Sequence, residues 1–334
     1  MVSCVQVLLR GMSVLIVEAC EVEVIQWLSK RRSVRYAPEL AVDPNLLRQA
    51  MHQVQALILP PSVGVDAQLL RASPSLRVVA RMSAGGENID MEACRAAQVE
   101  VVRCSTATAS AEAEFVIGAL LAMLRRVPVQ SSDGMLVGRE LGCSTIGLIG
   151  MSPAARMLAQ LLPIFGTRVL GYDPSLHQNE LVWSRVGIEP LPLRELMEQS
   201  DGICVQLPYF PRYRGLISER VLEFSKPGQV IVSIAHSAIF DASALARSVL
   251  SGRVAAVWFD SMEPGLQEPG RPLHGLSALQ VTPRLASTTR ESRTRAAWSV
   301  ARRIDELLNL PPAPSQGSRV SRSIERPDPS VETQ

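Results

Sequence analysis

At 334 residues, with 34 basic against 32 acidic side chains, the chain exceeds the usual span of one hydrophobic core, so two domains are the natural expectation. A net charge of +2 without a Lys/Arg block offers no footprint for nucleic acid or another polyanion. Lysine occurs only at Lys30 and Lys226, and the six cysteines are scattered with no C-x-x-C pair or metal-ligand spacing to His, which fits free thiols in a reducing cytoplasm.

No basic segment followed by a long apolar stretch opens the chain, and the longest apolar run, 115–124, is too short to span a bilayer. A cytoplasmic protein without a membrane partner is expected, with 1–11 an extension before Met12 or a misassigned start. Short β-branched runs at 14–17, 56–59 and 76–80 alternate with helical patterns, the rhythm of a parallel α/β sheet. Between the first two, Asp43 and Pro44 form a cap and first turn for a helix whose apolar residues Leu46, Leu47, Ala50, Met51 and Val54 share one face.

Residues 111–125 read as a helix apolar on nearly all sides, which signals burial between domains or subunits. A second alternating series follows, with strands at 145–149, 168–172, 202–207, 230–234 and 255–259. Thr288 and Glu291 are spaced as a capping box for a helix with an apolar stripe at Ala297, Val300, Ala301, Ile304, Leu307 and Leu308, expected to pack back on the first domain. Residues 311–334, rich in Pro, Ser and Arg, cannot bury enough apolar area to order themselves and are expected to be a disordered tail.

The strand at 145–149 runs into Gly150-Met151-Ser152-Pro153-Ala154-Ala155, a helix through Phe165, the strand at 168–172 and then Asp173. In the G-x-G-x-x-G turn the first glycine makes the bend, the second lets the backbone approach a pyrophosphate, and the third allows close helix packing. Only Gly150 is a glycine here; Ser152 adds a side chain, Pro153 removes an N–H and Ala155 is a mild change. Context supports a dinucleotide site, because Asp173 lies 23 positions on at the end of the next strand, where a carboxylate accepts ribose hydroxyls and repels the extra phosphate of NADP. The expected cofactor is therefore NAD. The alternative is that Gly150 ends a strand and Asp173-Pro174 starts a turn. A phosphate loop of the G-x-x-x-x-G-K-[ST] type is absent.

From about residue 55 to 309 the order of segments resembles the D-isomer-specific 2-hydroxyacid dehydrogenase family. The matching pieces are Leu76 to Arg81 with Gly85 to Asp90, Ala113-Glu114, Gly147 to Gly150, Tyr172-Asp173-Pro174, Gln206-Leu207-Pro208, Asp260, Glu263-Pro264 and Thr282-Pro283. The resemblance implies two doubly wound α/β domains, a flavodoxin-like substrate domain of 1–105 plus 290–310 and a Rossmann NAD-binding domain of 106–289. It further implies that Gly150, Ser152, Pro153, Ala154 and Asp173 hold the nucleotide, that Pro208 lies near the adenine, and that Ala235 and Asp260 lie near the nicotinamide. The loop Ser83-Ala84-Gly85 would offer N–H groups to a substrate carboxylate, and the chain would form a homodimer through the nucleotide domain.

The family's catalytic set is an Arg, a Glu before Pro, and a His after Thr-Pro; the corresponding positions here hold His236, Glu263 and Arg284, with the stretch from Asp260 to Glu263 two residues shorter than usual. Arg284 stays protonated at any working pH and cannot be a proton donor. One hypothesis is exchange, in which His236 donates the proton to a small 2-oxo acid and Arg284 holds the substrate. The contrary hypothesis is an NAD-binding sensor that has lost turnover. The loop 208–214 carries no chemically distinctive group to name the substrate.

Overall fold

The computed structural model describes residues 13–311 apart from Ala84, Glu87, Ser131, Met262 and Pro264. The first unit runs β1 (Val14–Ile16), α1 (Val22–Ser29), β2 (Val34–Tyr36), α2 (Pro44–Ala50), β3 (Ala56–Ile58), α3 (Ala67–Arg71), β4 (Val78–Arg81), α4 (Met91–Ala96) and β5 (Glu100–Arg103). Its five strands are parallel in the order β2-β1-β3-β4-β5, the flavodoxin-like winding. Alternation along each strand sends Leu15, Leu57 and Val79 to one face and Val14, Ile16, Ala56, Ile58, Val78 and Ala80 to the other. Both faces are therefore apolar and must be covered, the first by Leu47 of α2, Met51 just after it, and Leu69 and Leu70 of α3.

α5 (Ser105–Arg126) leads to a short antiparallel pair, β6 (Val129–Gln130) and β7 (Leu136–Val137). The second unit then follows as β8 (Thr145–Ile149), α6 (Pro153–Leu161), β9 (Arg168–Tyr172), α7 (Leu181–Val186), β10 (Glu189–Pro190), α8 (Leu193–Gln199), β11 (Gly202–Val205), α9 (Glu219–Leu222), β12 (Gln229–Ser233), α10 (Ala242–Leu250), β13 (Val254–Asp260) and β14 (Leu279–Thr282). The seven parallel strands are ordered β10-β9-β8-β11-β12-β13-β14. This is the dinucleotide-binding winding with one strand added at its far edge. One face packs Val116 and Leu120 of α5 with Ala155 and Leu158 of α6 against Ile146, Leu148 and Val230; the other packs Leu196, Leu222 and Leu245 against Ile203, Ile231 and Val257.

The chain closes with α11 (Arg290–Asn309), which returns to the first sheet as its stripe requires: Ala297, Val300, Ala301 and Ile304 lie buried against Ile16, Val78 and Ala80. Its cap differs from the sequence expectation by one residue. Thr289, not Thr288, accepts the Ser292 N–H at 3.1 Å, while the Thr288 hydroxyl donates to the Arg284 carbonyl at 2.7 Å. Glu291 therefore falls one position short of closing a capping box.

Sequence patterning did not pick out β2, β5, β10 and β14. The first two flank the five-stranded sheet, and the last two flank the seven-stranded one. Edge strands carry exposed polar residues and lack the continuous apolar run of a central strand. α5 starts six residues earlier than its apolar run, because Thr108 and Ala109 are buried as well. By length and composition it is the one described helix apolar enough to cross a membrane, yet more than half of its most apolar stretch is buried inside the protein, as in a core helix. The five described cysteines are free thiols. All of the expected tail, 311–334, except Pro311 lies outside the described residues, as do residues 1–12.

Candidate active site

The strand order reverses between β8 and β11, so their carboxyl ends splay apart and open a crevice. Gly150 sits there with φ of +98°, and a Cβ on it would lie 2.9 Å from the Gln206 carbonyl carbon and the Leu207 nitrogen. Only glycine fits this bend. Asp173, 8% exposed, reaches back from the end of β9 to accept the Met151 N–H at 2.8 Å through Oδ2, and its Oδ1 takes the Ser175 N–H at 2.8 Å and hydroxyl at 2.6 Å. The acid is thus held against the turn, at the strand end where the sequence expectation puts a ribose contact.

The two substitutions that looked like obstacles have a structural purpose. Ser152 is the N-cap of α6 and Pro153 occupies its first helical position, where a missing N–H costs nothing. The Ser152 hydroxyl accepts the Ala155 N–H at 3.1 Å and donates to Gln206 Oε1 at 3.1 Å, so one amide that a phosphate could take is already used. In exchange Gln206, 5% exposed, has a buried Nε2 with no hydrogen-bond partner among the described residues. The glycine bend, the positive end of α6 with the buried Ala154, and this orphaned donor together fit the pyrophosphate of a dinucleotide.

At the loops after β12, β13 and β14, His236, Glu263 and Arg284 converge although 48 positions separate the first from the last. Glu263 is the hub: its Oε1 accepts from Arg284 Nη2 at 3.1 Å and lies 3.8 Å from His236 Nε2, and its Oε2 accepts the Ser237 N–H at 3.3 Å. His236 Nδ1 accepts the Ala238 N–H at 3.1 Å, which assigns the ring proton to Nε2, facing the carboxylate. Arg284 is held with φ of +52°, a conformation a non-glycine residue adopts only when its surroundings impose it.

That imposition comes from Asp260. It is 5% exposed, accepts the Thr282 hydroxyl at 2.6 Å and the Leu285 N–H at 2.7 Å through Oδ1, and the Ala286 N–H at 2.8 Å through Oδ2. Asp260, which the resemblance places near the nicotinamide, thus also braces the loop that presents Arg284. Behind it, burial in α5 pushes the Glu112 carboxyl above its ordinary range, against a hydrogen bond from Thr108 and with a further push from Asp260. Ala235 is buried at the end of β12 and Pro208 is exposed after β11.

The substrate loop belongs to the other sheet. Ser83 follows β4; its hydroxyl accepts from Arg81 Nη2 at 2.8 Å and its carbonyl from the Cys104 N–H at 3.2 Å. Arg81 is almost fully buried and also donates to Asn88. Gly85 is half-buried, and Ala84 lies outside the described residues.

Three residues escaped the sequence reading. Gln206 was matched only as part of a motif. Arg81 reads as an ordinary strand-end cation until its burial is seen. Tyr209 lies in the loop taken to have no distinctive group, yet its ring stacks on His236 with centroids 4.4 Å apart and planes 24° from parallel. An aromatic at that position in a Pro-rich loop was the available signal. No group of three or more His, Cys, Asp or Glu side chains that could hold a metal occurs among the described residues.

Comparison with known proteins agrees with this architecture. Residues 118–286 match a family model described as D-isomer specific 2-hydroxyacid dehydrogenase, NAD binding domain. The chain is 33% identical over 269 residues to D-3-phosphoglycerate dehydrogenase of Mycobacterium tuberculosis, covering 78% of this chain and 50% of that protein. It is 29% identical over 306 residues to (S)-sulfolactate dehydrogenase of Chromohalobacter salexigens, covering 89% and 98%. The chain thus spans about half the length of the mycobacterial relatives it matches. A glyoxylate reductase structure from Paecilomyes thermophila superposes with a TM-score of 0.74 at 23% identity, over 87% of this chain and 94% of that one, which shows the shared fold.

Proposed function

The chain belongs to the D-isomer specific 2-hydroxyacid dehydrogenase family and carries its NAD binding domain, and from that premise we propose that it interconverts a small D-2-hydroxy acid and its 2-oxo acid with an exchanged catalytic pair. The observation that carries the reading is the convergence of His236 and Arg284 on one oxygen of Glu263, 3.8 and 3.1 Å away. Both residue types needed for the reaction are present at one carboxylate, with their positions swapped.

NAD supplies or accepts the hydride. In the reduction, His236 delivers the proton from Nε2 to the carbonyl oxygen, and Glu263 steadies the charged ring before donation. Doubly protonating that ring requires Nδ1 to release the Ala238 N–H, at a cost of about 1 kcal/mol for one hydrogen bond. Arg284, whose guanidinium is always charged, orients the substrate through its carboxylate. Gly150, Ser152, Pro153, Ala154 and Asp173 form the nucleotide cradle, with Pro208, Ala235 and Asp260 along its length, and Ser83, Ala84 and Gly85 offer backbone amides to the substrate.

The division of labour follows the sheets: 1–105 with 290–310 for the substrate, 106–289 for the nucleotide. We place the protein in the cytoplasm as a homodimer formed through the nucleotide domain, since Met135, Leu136 and Val137 beside β6 and β7 expose apolar surface that a second copy would cover. The relatives' names span phosphoglycerate, sulfolactate and glyoxylate chemistry, which share the 2-hydroxy or 2-oxo carboxylate and nothing finer.

A second reading, nucleotide binding without turnover, rests on the Ala238 N–H that occupies His236 Nδ1 and on the Arg284 to Glu263 ion pair. A fluorescence titration with NADH, then glyoxylate, hydroxypyruvate or pyruvate in the same cuvette, separates the two. Exchange predicts saturable binding, loss of the reduced-nucleotide signal, and a fall of about 10²–10⁴-fold in kcat for His236→Ala. Binding with no oxidation across the panel favours the second reading, and absence of binding overturns both.

A further inference from the structure

Tyr209 has no place in the machinery so far, yet it makes the closest ring contact in the site. It sits one residue beyond Pro208, half-buried, with its ring packed partly on the core beneath β11 and β12 and partly on the flat face of His236. The 4.4 Å separation and 24° tilt are those of an offset stack.

An imidazole that transfers a proton needs both its position and its plane fixed. The Ala238 N–H fixes one edge of His236, and Glu263 draws Nε2 toward itself from 3.8 Å, too far for a hydrogen bond that would fix the ring. Rotation about the axis between these two points is the freedom left over. A flat aromatic face against the ring removes it, and an aliphatic side chain of equal bulk does not. We propose that Tyr209 is a positioning residue for the proton transfer, its ring holding the His236 plane so that Nε2 stays aimed between Glu263 and the substrate oxygen. This rests on the reading of His236 as the proton donor.

The test compares Tyr209→Leu, which keeps apolar bulk without a flat face, with Tyr209→Phe, which keeps the face and loses only the hydroxyl. The intact NADH-loaded protein is assayed for kcat and KM, and nitrogen NMR of the histidine side chains, with His236→Asn assigning the resonances, reads the ring's tautomer. Tyr209→Phe is expected to stay within about twofold of the parent in both readouts. Tyr209→Leu is expected to lower kcat by roughly tenfold or more with KM within about twofold, as a small misplacement of a reacting group does, and to shift His236 from a single Nε2–H pattern toward an averaged one.

An unchanged His236 pattern in Tyr209→Leu overturns the proposal whatever the kinetics show, and so does a changed pattern with unchanged kcat. Equal losses in Tyr209→Phe and Tyr209→Leu also overturn it, because the face would not be what matters. If the parent turns over no 2-oxo acid, the NMR comparison decides the positioning role alone, and it is the assignment of function that fails.

Discussion

Replacing Gly150 with alanine probes the nucleotide turn at the point where geometry is least forgiving. The φ of +98° costs an L-residue roughly 1–2 kcal/mol. The added methyl meets backbone atoms of Gln206 and Leu207 at 2.9 Å, inside any real Cβ contact, and neither β8 nor β11 can retreat without breaking the ladder that joins them. Overpacking of that kind adds about 1–3 kcal/mol, so the total is about 2–5 kcal/mol. Gly187→Ala is the control, since φ there is +69° with open space around the Cβ, and it should show the conformational cost alone. Urea unfolding followed by tryptophan fluorescence gives the stabilities, and NADH titration gives the affinity, expected to weaken at least tenfold, or about 1.4 kcal/mol, as the turn shifts. If Gly150→Ala proves no less stable than Gly187→Ala and binds NADH like the parent, the reasoning about this turn is wrong.

Two further outcomes follow from buried acids. Asp260→Asn keeps the shape of the side chain but presents an NH2 group to a loop that offers only donors at Leu285 and Ala286; in steady-state kinetics with 2-oxo acid as the varied substrate KM should rise, because the loop presenting Arg284 loosens, and an unchanged KM refutes it. Burial pushes the Glu18 carboxyl up to about 7, against the pull of Arg81, and its Oε2 has no hydrogen-bond partner among the described residues. A raised carboxyl binds its proton more tightly in the folded chain, so this contribution is fully present below the unfolded value near 4.5 and is lost as pH rises through 7, by up to about 3 kcal/mol. In Glu18→Gln the stability difference from the parent should therefore change between pH 4.5 and 8 in urea titrations, and a flat difference refutes it.

Much of the architecture was legible in the sequence because periodicity reports burial. The strands at 145–149 and 168–172 were read at their observed bounds, since central strands covered on both faces must be continuously apolar, and the stripe of α11 named its partner sheet. The edge strands β2, β5, β10 and β14 carry polar residues that solvent tolerates and so left no such trace. Within the site, the sequence named His236, Glu263 and Arg284, because residue type and order survive in a linear string. What it could not decide was meaning. Ser152 and Pro153 read as damage to a phosphate turn until the backbone showed a cap and a first helical position. Asp260 read only as a cofactor contact, and its three hydrogen bonds to the loop of Arg284 could not be foreseen. Tyr209 left only the trace of an aromatic in a Pro-rich loop, because its stacking contact is with a ring 27 positions away. Hydrogen-bond direction and ring stacking are relations between residues distant in the chain, and only the folded backbone brings them within the few ångströms at which they act.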